Sequence, residues 1–250
     1  MRILLTNDDG IQAVGLRAMH KALVAAGHQV HVVAPITEQS AVGHAITLSA
    51  PLRVKEFREE GFFGLGVSGT PADCVKLAIS TLLPEPPELV VSGINAGANV
   101  GVDIMYSGTV SAATEGALMG FPALAVSMDN HNPEELSGQA QYAADLLPRL
   151  PLGALPKKCV LNLNFPDRPI GEILGMKVCP HTRVAYTDWY EERVDPRGRK
   201  YYWMCGEIRP ENISPGRDRE LLTSGYITLT PLRFDFTDHE TLALLEPLSS

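Results

Sequence analysis

The first thirty-five residues constrain the fold most. An apolar run, Arg2 to Thr6, is followed by Leu16, Met19, Leu23 and Val24 on one helical face, then by the Val-rich run Gln29 to Ala34. Strand, helix and strand in that order predict a right-handed βαβ unit and a parallel sheet. The alternation continues along the chain. Leu52 to Phe57 and Phe62 to Val67 read as a hairpin. Pro71 to Leu83 reads as a helix with Thr70 as N-cap, Glu88 to Ser92 as a strand, and Val110 to Gly120 as an Ala-rich helix. A strand follows at Ala123 to Ser127, a helix at Pro133 to Leu150 with Asn132 as its cap, and a strand at Cys159 to Asn164. The expected fold class is therefore α/β, with a mostly parallel sheet.

From Thr182 to Asp218 the composition changes to Arg, Asp, Pro, Tyr and Trp. The stretch "WYEERVDPRGRKYYWM" reads as two strands around an Asp-Pro-Arg-Gly turn, a protruding hairpin. Its Tyr201, Tyr202 and Trp203 either fold back on the core or meet another subunit, and a subunit contact is the expectation. Gly225 to Pro231 and His239 to Leu245 add a strand and a helix. The expected organisation is a catalytic domain over residues 1–180 and an oligomerisation extension over 181–250.

Charge narrows the partners. Lys plus Arg number 21 and Asp plus Glu number 29, a net charge of −8. A basic face for a nucleic-acid polymer is not expected. No apolar run spans a bilayer, and the amino terminus does not read as a signal peptide. Cys74, Cys159, Cys179 and Cys205 are widely spaced, so free thiols and a cytoplasmic location are expected. "GLGVSG" (64–69) matches a dinucleotide fingerprint in letters only, because its first two glycines fall inside a strand.

Three loops follow parallel strands, at the edge where open α/β sheets bind ligands. The first is Asn7-Asp8-Asp9-Gly10. Adjacent carboxylates face one point only where the strand has ended and the chain turns. A divalent cation makes such a pair favourable; a solvated Asx turn is the alternative. The second, "PITEQSAVGHAITL" (35–48), offers the Ser40 hydroxyl and His44, which either reaches a phosphate or is an ordinary surface residue. The third, "VSGINAGANVGVDIMYSGTVSAATEG" (91–116), runs from a strand into a helix start. Free N–H groups there, with the Ser107 and Thr109 hydroxyls, make a neutral anion site. Together the loops supply hard oxygen donors, which suit Mg²⁺ or Mn²⁺ better than Zn²⁺ and suggest metal-assisted hydrolysis of a phosphate ester.

Taken in order, "RILLTNDDG", "VVAP", "SGTPADCV", the 91–116 loop, "GFPALAVS", "LNLNFP", "DPRGRKYYW" and "GYITLTPL" resemble the SurE family of metal-dependent nucleotidases. The resemblance implies a Rossmann-like three-layer α/β/α region and a carboxyl-terminal extension used in homodimer or homotetramer assembly. It implies hydrolysis of nucleoside monophosphates, with 3′-nucleotides and short polyphosphate as further substrates. It places one metal ion per subunit on Asp8, Asp9, Ser40 and Asn95. Ser107, Gly108 and Thr109 fall at its phosphate site, with Asn99 beside it. Asp8 then either orients a water or attacks phosphorus. Many members carry Arg-Ser-Gly where this chain has Gln39-Ser40-Ala41. Two rival functions are a non-catalytic nucleotide sensor and a phosphatase of the haloacid dehalogenase type, although that class spaces its acids as Asp-x-Asp.

Overall fold

The computed structural model describes residues 1–183, 187–207 and 213–249. In chain order the elements are β1 (Arg2–Thr6), α1 (Val14–Ala25), β2 (Gln29–Pro35), β3 (Val54–Glu59), β4 (Phe62–Val67) and α2 (Pro71–Leu77). Next come β5 (Leu89–Ala96), α3 (Gly108–Leu118), β6 (Ala123–Met128), α4 (Ser137–Leu146), β7 (Cys159–Phe165) and β8 (Met176–Val178). The chain finishes with β9 (Thr187–Val194), β10 (Lys200–Glu207), α5 (Asp218–Thr223), β11 (Ile227–Arg233) and α6 (His239–Leu245).

Nine strands form one sheet in the order β3-β4-β2-β1-β5-β6-β7-β11-β8. Its centre, from β4 through β7, is parallel, while β3 and β11 pair antiparallel with β4 and β7. Strand alternation divides the core into two layers. Ile3 and Leu5 of β1 pack with Leu16, Met19 and Leu23 of α1 and with Ala140 and Ala144 of α4. Leu4 faces the other way, with Val75 of α2 and Val110, Ala113 and Ala117 of α3. The architecture is the α/β, mostly parallel Rossmann-like one. Residues 181–250 are divided in space: β11 lies inside the main sheet, whereas β9 and β10 form a separate two-stranded sheet. Trp189, Tyr190, Tyr202, Trp203 and Met204 on that hairpin are exposed.

Several boundaries differ from the sequence expectation. Thr70 caps α2 reciprocally with Asp73, but the regular helix ends at Leu77 and continues as a π-turn over Ala78–Leu82. Helix α4 begins at Ser137, not Pro133, and Asn132 is not its cap. The Asn130 side chain accepts the Asn132 N–H at 2.8 Å, which holds that segment as a turn. Pro148 lacks an N–H to continue the helix, and a short 3₁₀ turn over Leu147–Arg149 closes it. Strand β8 and helix α5 are too short to announce themselves by periodicity. Strand β5 runs on past Ser92 through a register shift to Ala96, so Asn95 sits on a strand end rather than in a loop.

Candidate active site

The carboxyl ends of β1, β2 and β5 bring the three loops together. After β1, Asn7 Nδ2 donates to the Gly10 carbonyl at 3.0 Å, and Gly10 adopts φ +101° to close the turn. The turn is fastened to the β2 loop, because Ile11 N–H donates to Pro35 O and Gln39 N–H donates to Asp8 O, each at 2.8 Å. Ser40 is thereby set beside Asp8.

Asp8 is buried, and its Oδ1 accepts the Thr109 hydroxyl. Burial pushes its carboxyl above the ordinary range; the Thr109 hydroxyl and the Gly108 and Thr109 N–H groups oppose that rise. Asp9 Oδ2 accepts the Ala96 N–H at 3.1 Å. Burial first, and then the neighbouring Asp8 charge, push Asp9 up to about 7; the Ala96 N–H opposes and Glu38 adds to the rise. Two acids that disfavour each other's ionisation fit a cation. Among the described residues no group of three or more His, Cys, Asp or Glu could hold a metal. The hard oxygen donors lining these clefts are two carboxylates, the Ser40 hydroxyl and the Asn95 amide oxygen.

Asp8, Ser40, Asn95, Asn99 and Ser107 line one cleft of about 230 Å³. Asp9, Glu38 and Ser40 line an adjoining cleft of about 530 Å³. Asn95 Nδ2 donates to Gly97 O at 2.7 Å, leaving Oδ1 as its acceptor. Ser107 is the N-cap of α3 and accepts the Val110 N–H at 3.1 Å. Asn99 doubles as a loop anchor: its Nδ2 donates to Ser127 Oγ at 2.8 Å and its N–H to Asn164 Oδ1 at 2.8 Å.

Two placements differ from the sequence reading. Thr109 is fully buried and spends its hydroxyl on Asp8, so it positions a carboxylate rather than lining a cleft. His44 lines neither cleft. Its Nε2 is 2.8 Å from Oε2 of Glu115, whose Oε1 accepts from Lys76 Nζ at 2.8 Å. That carboxylate lies below its ordinary range, chiefly through His44, against the opposing effect of burial. His44 thus straps the Ser40 loop to α3. His131, which the sequence reading missed, lines both clefts. It follows β6 at the same sheet edge, so reading every strand-end loop for imidazoles would have found it. Glu38 and the Ala96 N–H were also missed, because neither carries a motif.

Thr109→Val is expected to lower turnover about 10–100-fold, the worth of one hydrogen bond to a charged group. Thr109→Ser is expected to keep most of the activity. Steady-state rates of the two variants check this.

A larger cavity, about 800 Å³, lies elsewhere, between α1 and the tip of the β3–β4 hairpin. Arg17 there is already paired with Glu59 through Nη1 and Nη2, at 3.0 and 2.9 Å. The cavity's lining comes mostly from α1 and the β3–β4 turn rather than from the loops at the carboxyl edge of the sheet, so size does not make it the candidate site. The GLGVSG stretch is also away from the site, with Gly64 and Gly66 inside β4.

Fold and site together define a Rossmann-like α/β protein with an oxygen-donor cleft at the carboxyl edge of its parallel sheet. The chain belongs to the SurE family: the family described as Survival protein SurE matches residues 3–188. It is 66% identical to the 5′-nucleotidase SurE of Nitratidesulfovibrio vulgaris over 98% of this chain and 91% of the relative. It is 65% identical to the 5′-nucleotidase SurE of Maridesulfovibrio salexigens, over 98% of both. The solved SurE protein from Aquifex aeolicus superposes with a TM-score of 0.86 at 35% identity, covering all of both chains.

Proposed function

We propose that this chain is a divalent-metal-dependent phosphomonoesterase that hydrolyses nucleoside 5′-monophosphates to nucleoside and phosphate. One arrangement carries the reading: Asp8, Ser40, Asn95 and Ser107 share a single small cleft, with Asp9 lining the next. The activity in the names of its relatives from N. vulgaris and M. salexigens supports the same reaction. 3′-Nucleotides and short polyphosphates are further candidate substrates.

Asp8, Asp9, Ser40 and Asn95 would hold one Mg²⁺ or Mn²⁺. A bound cation supplies Lewis acidity and offsets the phosphate's charge. The protein's own groups do the rest. The Ser107 hydroxyl binds a phosphoryl oxygen and stabilises charge as it develops, while the Gly108 and Thr109 N–H groups at the start of α3 hold Asp8 in place. Thr109 fixes the Asp8 carboxylate in one rotamer. Asp8 in turn orients the attacking group. The exposed aromatic residues of β9 and β10 support residues 181–250 as the surface for homodimer or homotetramer assembly. Among the described residues no helix is long and apolar enough to cross a membrane.

The test is phosphate release from AMP and GMP with Mg²⁺ or Mn²⁺, before and after EDTA. Release that EDTA stops and added metal restores is the expected result. Nucleotide binding without release would make the protein a sensor, and release that persists in EDTA would remove the metal from the reading.

A further inference from the structure

We infer that His131 is the proton donor to the departing sugar oxygen. The inference rests on the phosphomonoesterase reading above and extends it to a residue outside the metal and phosphate sets. The two clefts differ in size: about 230 Å³ suits a phosphoryl group, and about 530 Å³ leaves room for a nucleoside. The ester oxygen that links them must fall where the clefts meet. Ser40, Ala96 and His131 are the described residues lining both. Ser40 is assigned to the metal, and its hydroxyl donates to Glu38 Oε1 at 2.7 Å. Ala96 has no side-chain proton to give. An imidazole gives and takes protons near neutral pH.

The backbone sets this ring against the site. A methyl carbon built on Gly97 would lie 2.9 Å from both Cε1 and Nδ1 of His131 and 3.8 Å from Nδ2 of Asn95. Imidazole and candidate metal ligand therefore flank the same glycine, and only the missing side chain leaves room for the ring. The carboxylic acids of the small cleft are committed. Asp8 accepts from Thr109, and Asp103 pairs with Arg219.

In the step itself, water oxygen bonds to phosphorus and the bond from phosphorus to the sugar oxygen breaks. The electron pair stays on the sugar oxygen, which takes the proton of the imidazolium. The proton shed by the attacking water returns to the imidazole through solvent.

His131→Ala and His131→Gln test this with AMP and with p-nitrophenyl phosphate, whose leaving group departs as a stable anion. Turnover of AMP is expected to fall about 10²–10⁴-fold, with less than about a tenfold loss on p-nitrophenyl phosphate. His131 is exposed, so both variants are expected to fold as the parent does, by circular dichroism. Equal losses on the two substrates, or unchanged turnover of AMP, would overturn the assignment while leaving the phosphomonoesterase reading intact. A parent enzyme that releases phosphate from neither substrate would overturn both.

Discussion

Asp9→Asn is expected to lower AMP turnover about 10³-fold or more at limiting metal, because losing several kcal/mol of metal-supplied stabilisation costs that much rate. The substitution keeps the shape of the side chain and its acceptor for the Ala96 N–H, so the turn after β1 has no reason to rearrange. What it removes is one charge from a pair of adjacent carboxylates, Asp8 buried and Asp9 half-buried. In the metal-free protein that charge is a liability, since burial and the Asp8 carboxylate already push Asp9 up to about 7. The metal-free variant is therefore expected to melt no lower than the parent, and to lose most of the upward shift that Mn²⁺ gives the parent. Rates against metal concentration, paired with thermal melts with and without Mn²⁺, read both effects. Full activity at limiting metal would remove Asp9 from the ligand set.

Gly108→Ala is expected to cost about 100-fold in turnover, the scale for a misplacement of about 1 Å near reacting groups. A methyl group built on Gly108 would sit 2.7 Å from Cβ and 2.8 Å from Oδ2 of Asp8. Asp8 cannot give way easily, because Thr109 holds its other oxygen. Gly108 is the first residue of α3, so alanine's advantage in helix interiors does not offset that crowding, and overpacking costs about 1–3 kcal/mol. A slower and lower-melting variant is thus the expected outcome, with weakened metal binding as its companion. Gly153→Ala is the control: a methyl group there meets nothing within 4 Å, and its activity is expected to match the parent's. If Gly108→Ala turned over AMP at the parent rate, the tight seat of Asp8 against α3 would have no bearing on catalysis.

Much of this was legible in the chain. The βαβ start, the Thr70 cap and the strand that ends in Asn7-Asp8-Asp9-Gly10 follow from local pattern and turn chemistry. Elements that borrow their stability from neighbours were not legible. Strand β8 is three residues long and exists because β11 supplies a ladder partner. The far end of β5 continues past Gly93 because β6 pairs with it again at Asn95 and Ala96. Helix α4 starts late because Leu136 lies outside the helical region and the Glu135 carboxylate takes the Ser137 N–H in a local turn.

The site divides in the same way. The sequence by itself determined which donors exist, since adjacent aspartates, a loop serine, an asparagine just past an apolar strand and a Ser-Gly-Thr helix start are chemical identities that pattern can place at one sheet edge. Only the tertiary structure decided what each donor faces. It gave the Thr109 hydroxyl to Asp8, took His44 to Glu115 and set His131 at the meeting of two clefts. The physical reason is that a side chain's partner is fixed by packing between segments distant in the chain. Thr109 and Asp8 are 101 residues apart, and no local rule spans that separation.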